Sequence, residues 1–515
     1  MSIFDFFRRS HPAPVPTRAE PRIATPPKLG VRKFKAARPS RLVHGFGSIL
    51  PQSPRAEIRH DIRGLVNHAR HAAQNVDHIK SYEMMVRRHV VGPRGVALDM
   101  NAKNVDGSAD SLGNEAVMAA WKRWGQKGTC TPCGKLSWWG VEKVAATMLA
   151  REGNFLLRQW TGRRFGAFGF QVQPISIDLL CLDLMRGMSN GTYIDGGVEL
   201  DTFHKPVAFY FWDGHPAEAH SGRTGRRIRV PAEDIVHVFR ATETGQDLGV
   251  PESHTAVRRF NMLAKYEESA LTAAHFGAAA MTFLEQTDPD GAPASPDASG
   301  MAEELPTEVE AGAIVELPPG YEAKANPSSY PDANMPGFLK SMARGGAAGL
   351  GVSYAGLSSD MEGANFSSLK DGRGEERDEW RMFQRDLYEG LHMPVFAAWL
   401  PLALLTDQVR VAGRPIPASR LDKFLDAASW RPRGWPSVNP KDDAVANEKD
   451  LENGLVAPSD IVAARGDDFE DLVARRKRDM DTLKAADVPL PAVLTGTPKA
   501  KPAPPAEAAE GAPQP

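Results

Sequence analysis

The pattern with the most obvious chemistry is Cys130-x-x-Cys133, set in CTPCGKLSWWGVEKVAATMLAREGNFLLRQW. Two thiols at that spacing serve as a redox pair or as half of a zinc site. A zinc site needs four ligands, yet there is no second CxxC and no histidine at ligand spacing, and Cys181 is the remaining thiol. The ligand count therefore favours a turn ahead of a helix. His237 lies in Ile-Val-His-Val-Phe with no serine or cysteine nucleophile paired to it, so it reads as a packed sheet histidine. The chain lacks a GxxxxGKS/T phosphate loop, an HExxH helix and a GxSxG elbow. No carboxylate pair stands out from the charged helices, and no serine finds a lysine or histidine partner. The expectation is a protein that is not an enzyme, with no catalytic residue, metal or cofactor.

The elements that position these residues follow from composition and periodicity. The 515 residues carry 62 basic and 64 acidic side chains, a net charge of −2, but the charge is segregated. Residues 1–41 hold ten Lys/Arg against two Asp/Glu, whereas residues 286–334 hold ten Asp/Glu against one Lys. Three cysteines exclude a disulfide-stapled scaffold and fit a reducing compartment. No apolar run reaches the roughly 18–20 residues needed to cross a bilayer. Met393 to Leu405 is too short and contains Pro394 and Pro401, and the N-terminus has no secretory h-region. These features predict a soluble intracellular protein that does not engage a membrane.

Helical periodicity runs from Arg55 to Val90 through Ile58, Ile62, Val66 and Ile79, and stops at Gly92-Pro93. A second amphipathic helix is predicted over Ser111 to Trp124, and a third after the CxxC, leading into a strand FLLRQW. Residues 165–240 alternate apolar and polar between Gly, Asn, Asp and Pro turns, which predicts a strand-rich region. An alanine-rich helix follows a Gly-Val-Pro turn from about Ser253 to Phe276. In the acidic insert, GAIVELPPGYEAK reads as two strands about a Pro-Pro-Gly turn. Phe338, Leu339, Met342 and Leu350 mark another helix, which meets glycines 345, 346, 349 and 351. A polar loop is expected from Ser358 to Gly374, with Asp371-Gly372 as a turn, before a helix carrying Trp380, Phe383, Leu387 and Leu391.

The stretch GLGVSYAGLSSDMEGANFSSLKDGRGEERDEW, together with VPAEDIVHVFR, the Gly-Val-Pro turn, and Trp435, Asn439-Pro440, Asn453-Gly454-Leu455, Ser459 and Gly466-Asp467 near the end, resembles the lambda-like portal proteins of tailed bacteriophages. The likeness covers roughly residues 42–485, in order. It implies an α+β portal fold with a wing sheet, paired stem helices, a small β clip, an α-helical crown and disordered termini. The implied divisions are a basic arm 1–41, wing 42–251, first stem helix 252–285, acidic clip 286–334, second stem helix 335–352, tunnel loop 353–374, wing and crown helices 375–485 and a tail 486–515.

The resemblance also implies a homo-oligomeric ring, usually a dodecamer, at a capsid vertex of the virion, assembled in the host cytoplasm. Double-stranded DNA passes through it, with the terminase large subunit, scaffold or major capsid protein and head-completion adaptors as partners. A conduit must not grip DNA, since each Lys/Arg contact adds a salt-sensitive sticking energy. An acidic clip repels phosphates within a Debye length of about 8–10 Å. A few cations then brake backsliding. The candidates are Lys340, Arg344, Lys370 and Arg373, with Asn365 and Ser367 adding polar phosphate contacts. The competing reading of those cations is ion pairing to Glu362, Asp371, Glu375 or Glu376. The rival function is a monomeric nucleic-acid-binding protein acting through the basic arm, which leaves the alanine-rich helix, acidic insert and polar loop in series without a role.

Overall fold

The computed structural model describes residues 53–189, 191–218, 225–278, 282–286, 321–325, 334–362, 366–435, 440–465 and 469–486, all in the unit Ser53–Pro515. The basic arm, the tail beyond residue 486 and most of the acidic insert lie outside the described residues.

Helix α1 (Pro54–Asn75) starts where the Ser53 side chain accepts the Ala56 amide and Pro54 supplies a preset φ. Its buried residues Ile62, Val66, Ala69, Ala72 and Ala73 fall on one face. Val76 turns extended, and α2 (Asp77–Val86) resumes before a π turn at Arg87–Val91, closed by Gly92 at φ 69°. Strand β1 (Ala97–Met100) precedes α3 (Ser111–Trp124) and α4 (Trp138–Glu152), which are N-capped by Asp110 and Ser137. The CxxC forms the turn ahead of α4. Cys130 is buried and Cys133 exposed, and burial pushes the Cys130 thiol up to about 12.

Two antiparallel sheets follow. The first has β2 (Asn154–Thr161) between β3 (Phe170–Ile175) and β9 (Ile235–Phe239). The second is the meander β4 (Arg186–Gly187), β5 (Tyr193–Asp195), β6 (Val198–Leu200), β7 (Pro206–Trp212) and β8 (Arg227–Pro231). His237 sits in β9 beside Asn154, 3.1 Å away, and burial lowers its pKa to about 4, as suits a packed neutral imidazole.

One knot holds the first sheet to the Gly-Val-Pro turn. Gly153 adopts φ 72°, and a Cβ there would fall 2.3 Å from the Val250 carbonyl carbon, so only glycine fits. Asn154 then donates to the Gly249 carbonyl and accepts the Gly249 amide, both at 2.8 Å and both buried. Asn154→Ala strands those two backbone groups. Its expected cost is about 2–4 kcal/mol, read as a lower denaturation midpoint, because buried unsatisfied groups lose their full desolvation energy.

Beyond the turn, α5 (His254–Ala278) pairs with α6 (Met335–Gly349). Ala256, Phe260 and Leu263 meet Ala343, Gly346 and Ala347. A Cβ on Gly346 would stand 2.2 Å from the Phe260 ring. The glycines do not loosen this helix: it runs unbroken through Gly349, and Gly346 lets the Phe260 ring lie against its backbone. Strands β10 (Thr282–Gln286) and β11 (Tyr321–Ala325) pair antiparallel, Thr282 opposite Ala325.

The first stem helix, expected over 252–285, gives way to strand at Thr282, where Thr282–Gln286 pairs with Tyr321–Ala325. The expected partner strand across Pro-Pro-Gly, residues 312–317, lies outside the described residues. Packing α5 on α6 brings the chain leaving one and entering the other within pairing distance, whatever the insert between them. The polar loop is also shorter than expected. After α7 (Tyr354–Ser358), α8 (Phe366–Leu387) is already helical through Asp371-Gly372. Burial of Trp380, Phe383 and Leu387 nucleates this helix, and extension then tolerates two glycines at about 1 kcal/mol each.

A second π turn, Tyr388–His392, leads into α9 (Met393–Leu405), whose Trp399, Leu400 and Ala403 have no exposed surface. The middle of α9 is enclosed by core, where Trp399 packs against Trp121, Trp124, Phe168 and Phe396, while Met393 and Leu405 at its ends stay exposed. The hairpin β12 (Arg410–Val411) with β13 (Arg414–Pro415), the short helix α10 (Leu421–Leu425) and β14 (Ala428–Arg431), which pairs with β1, complete the body. Helices α11 (Pro440–Glu452), α12 (Pro458–Ala464) and α13 (Phe469–Ala485) follow, and α11 and α12 bury no residue. Among the described residues, no helix is long and apolar enough to cross a membrane.

Candidate functional site

The sequence candidates cluster around the passage from α6 to α8. At the end of α6, Gly351 turns the chain at φ 66° and Ser353 caps α7 by accepting the Gly356 amide. The Ser353 hydroxyl also donates to Glu376 at 2.7 Å, and Trp380 donates to the other Glu376 oxygen at 3.3 Å, so α7 is tied to α8. Ser81 on α2 donates to the Leu357 carbonyl at 2.8 Å. Ser359 then adopts φ 58°, directing Asp360 back toward α6.

There Lys340 meets Asp360 and Glu362, each at 3.0 Å. The Tyr354 hydroxyl donates to Asp360 at 2.9 Å, and the Arg344 guanidinium lies 5.6 Å above the Tyr354 ring. The Glu362 amide, then Lys340 and Tyr354, hold the Asp360 carboxyl down at about 2. Lys340 is thus a latch between α6 and the 359–362 turn in this conformation, and its pairing with Glu362 is among those expected. Arg344 remains exposed.

Asp360 has a folded pKa below its ordinary 3.8, so its contribution is present above about pH 4 and is lost as pH falls toward about 2. Protection of the Glu362 amide from hydrogen exchange should fall across that window. Asp360→Ala, which removes the acceptor, should show the unprotected behaviour already at neutral pH.

Arg373 is exposed on α8, two turns into the helix, rather than in a loop. Ser367 and Lys370 stand in the first turns of α8, with side chains outside the described residues, as is Asn365 altogether. The structure therefore brings Lys340 and Arg344 together and places Arg373 on a separate element. Sequence reasoning missed Asp360 and Tyr354 as partners of these cations. It also missed the row Arg373, Arg377 and Arg381, whose four-residue spacing was legible once the helix was extended backwards. Among the described residues, no group of three or more His, Cys, Asp or Glu is arranged to hold a metal ion. What the site offers is charge and hydrogen bonding.

Residues 46–384 match the family described as phage portal protein, lambda family. A probable portal protein of Halomonas phage phiHAP-1 is 30% identical over 490 residues, spanning 93% of this chain and 91% of that protein. Portal protein B of Escherichia phage lambda is 22% identical over 415 residues, 73% of this chain and 75% of its own length. Among solved structures, the neck of an empty gene transfer agent particle aligns at 14% identity with a TM-score of 0.42, covering 79% of this chain and 94% of that one. An HK97-family phage portal protein from Corynebacterium diphtheriae aligns at 14% identity and TM-score 0.31, covering 68% and 96%. The family match spans more than half of the 515 residues and the Halomonas phage relative nearly all of them, and so the chain belongs to the lambda family of phage portal proteins.

Proposed function

We propose that this portal protein assembles into a ring, of twelve copies by the family's usual number, at a capsid vertex of the virion, and that double-stranded DNA passes through it during packaging and ejection. The observation that carries the ring is the α5–α6 hairpin. Its inner seam is fully packed, yet Met262, Leu271 and Phe338 on the same two helices are 55%, 62% and 47% exposed. Large apolar side chains left uncovered along a helical hairpin are covered by neighbouring copies in a ring. The protein acts by shape and charge, with no chemistry of its own. Arg344 and Arg373 are the cations available to passing phosphates, while Lys340 positions the loop that presents Arg344's neighbour Tyr354. The acidic charge of 286–334 keeps the duplex from sticking.

The terminase large subunit, scaffold or major capsid protein and head-completion adaptors are the partners this role requires, with assembly in the host cytoplasm. A monomer acting through the arm 1–41 gains no support, because the family match begins beyond that arm, at residue 46. Negative-stain electron microscopy with mass photometry tests the reading. Rings with a channel about one duplex wide are expected. A stable monomer at high concentration, with and without a co-expressed scaffold, overturns it.

A further inference from the structure

We infer that one basic face, where the end of α3, the β2–β3 turn and the β12–β13 hairpin meet, is a second contact for the phosphate backbone of double-stranded DNA. Its exposed cations are Arg123, Lys127, Arg163, Arg164, Arg410 and Arg414, apart from the Lys340–Arg344 cluster. The inference deepens the conduit reading and rests on it.

The sequence concentrates the charge in three places. Segments 122–135, 158–175 and 405–416 together carry nine Lys/Arg against a single acidic residue, Asp407. Folding joins them. The Val172 amide donates to the Cys130 carbonyl and the Gln171 side chain to the Thr129 carbonyl, both at 2.8 Å. Trp124 donates to the Phe170 carbonyl at 2.9 Å, so the end of α3 lies against β3. Arg123 donates to the Gln408 carbonyl at 2.5 Å, with its guanidinium 6.0 Å from the Phe168 ring centroid. Gly169 completes the junction, since a Cβ there would stand 3.7 Å from Thr406 Cγ2.

This face is set apart by the lack of counter-charge. Among the described residues, none of the nine cations forms an ion pair, whereas Arg55, Arg59, Arg70, Arg151, Arg229 and Arg240 each bind a carboxylate. Asp234 acts on Arg158 through space, without a bond. Asp407 is exposed, and it is its carbonyl that accepts from Arg410 Nε, at 2.7 Å. One unpaired surface cation is ordinary. Nine from three chain segments make the positive footprint of a site for a polyanion.

Part of the face is held ready for its occupant. The Arg158 guanidinium lies 3.8 Å above the Trp160 ring, Trp160 stands 5.4 Å from Phe165, and Arg164 lies 4.8 Å above Phe165. The turn carrying Arg163 and Arg164 is closed by the Gly162 amide on the Gly169 carbonyl, at 2.9 Å, and by the Phe165 amide on the Gly162 carbonyl, at 3.0 Å. A guanidinium stacked on a ring keeps its N–H edge free for phosphate oxygens, and less side-chain entropy is lost on binding. Duplex DNA is the polyanion that the conduit reading supplies. Its phosphates, one charge per about 1.7 Å of axis, engage several spread cations at once, as a small anion does not.

The test uses the full chain and a fluorescein-labelled 30-base-pair duplex, with anisotropy titrations at several salt concentrations and mass photometry on the same samples. Arg163→Gln/Arg164→Gln/Arg410→Gln/Arg414→Gln should lower affinity about tenfold or more near 0.1 M salt and reduce the log–log salt slope by about two to three, at about 0.9 per lost phosphate contact. Arg163→Lys/Arg164→Lys/Arg410→Lys/Arg414→Lys keeps the charge and should keep most of the slope. Arg163→Gln/Arg164→Gln alone, on an exposed turn, should remove about one to two units and keeps the test decisive if the fourfold variant misfolds. Lys80→Gln/Lys205→Gln removes two exposed cations elsewhere on the body and should leave the slope nearly unchanged. An unchanged slope in the arginine-to-glutamine variants overturns the inference. So does an equal fall on replacing Lys80 and Lys205, which would reduce the effect to net charge. Loss of rings with DNA affinity intact also overturns it, making the face a contact between copies. Wild-type protein that forms no ring sinks the conduit reading, while a reduced slope in variants of that protein still supports the face.

Discussion

Replacing Arg240 by alanine is expected to lower stability by about 3–5 kcal/mol, because it leaves a cluster of carboxylates without their cation. Arg240 follows β9 directly and binds Glu252 at 3.3 Å, Glu379 at 2.9 Å and Asp386 at 2.8 Å, with its guanidinium 4.8 Å above the Phe383 ring. Burial opposes its charge, but Glu252, Asp386 and Glu379 outweigh that and hold its pKa above the ordinary arginine value. Burial conversely pushes the Glu252 carboxyl up. One side chain thus joins the sheet, the approach to α5 and the middle of α8, the three elements that set where the helical hairpin leaves the body. Thermal and urea denaturation of Arg240→Ala should show the loss. Adding Glu379→Gln and Asp386→Asn should recover a good part of it. No recovery would mean that Arg240 acts by packing on Phe383 rather than by charge.

The second large effect is expected at His392. Its Nε2 lies 2.8 Å from Glu142 Oε1, and the two side chains are 0% and 1% exposed. The ring is enclosed by Trp138 and Trp430, with centroids at 5.3 and 4.9 Å. The Val96 amide also donates to Glu142 Oε1, at 3.3 Å, and Gly95 packs so closely that a Cβ would stand 2.4 Å from Glu142 Oε2. His392→Phe leaves a buried carboxylate with little beyond that amide, which should again cost about 3–5 kcal/mol. Glu142→Gln in the same background should restore part of the stability, since an unpaired neutral amide costs about 1–3 kcal/mol to bury. The double-mutant cycle decides the matter: additive losses would show that the two side chains do not act as a pair.

Family and element order were legible because their signals are local. The stripe Ile62–Val66–Ala69, the alternation in Ile235–Phe239 and the apolar period through Trp380, Phe383 and Leu387 each depend on neighbours within a few residues. A histidine between two valines could be assigned to a sheet for the same reason. The resemblance to lambda-like portals rested on short motifs of this kind and is borne out by the family match and the Halomonas phage relative.

Where the sequence misled, a long-range contact had outweighed a local preference. Asp371-Gly372 favours a turn, yet burial of the far half of α8 carries the helix back to Phe366. Thr282–Gln286 reads as the end of the stem helix, yet α5 packing on α6 brings it alongside Tyr321–Ala325 as a strand. The amino-acid order by itself determined most helices and strands of the body, the faces they turn inward, and the family to which the chain belongs. Only the tertiary structure decided which charges meet: Lys340 with Asp360, Arg240 with Glu379, His392 with Glu142, and Arg377 and Arg381 with Trp435. Arg240 and Glu379, or Glu142 and His392, are more than a hundred residues apart, and an ion pair between groups so distant leaves no periodic trace in either segment. It exists because the core brings the two backbones together first.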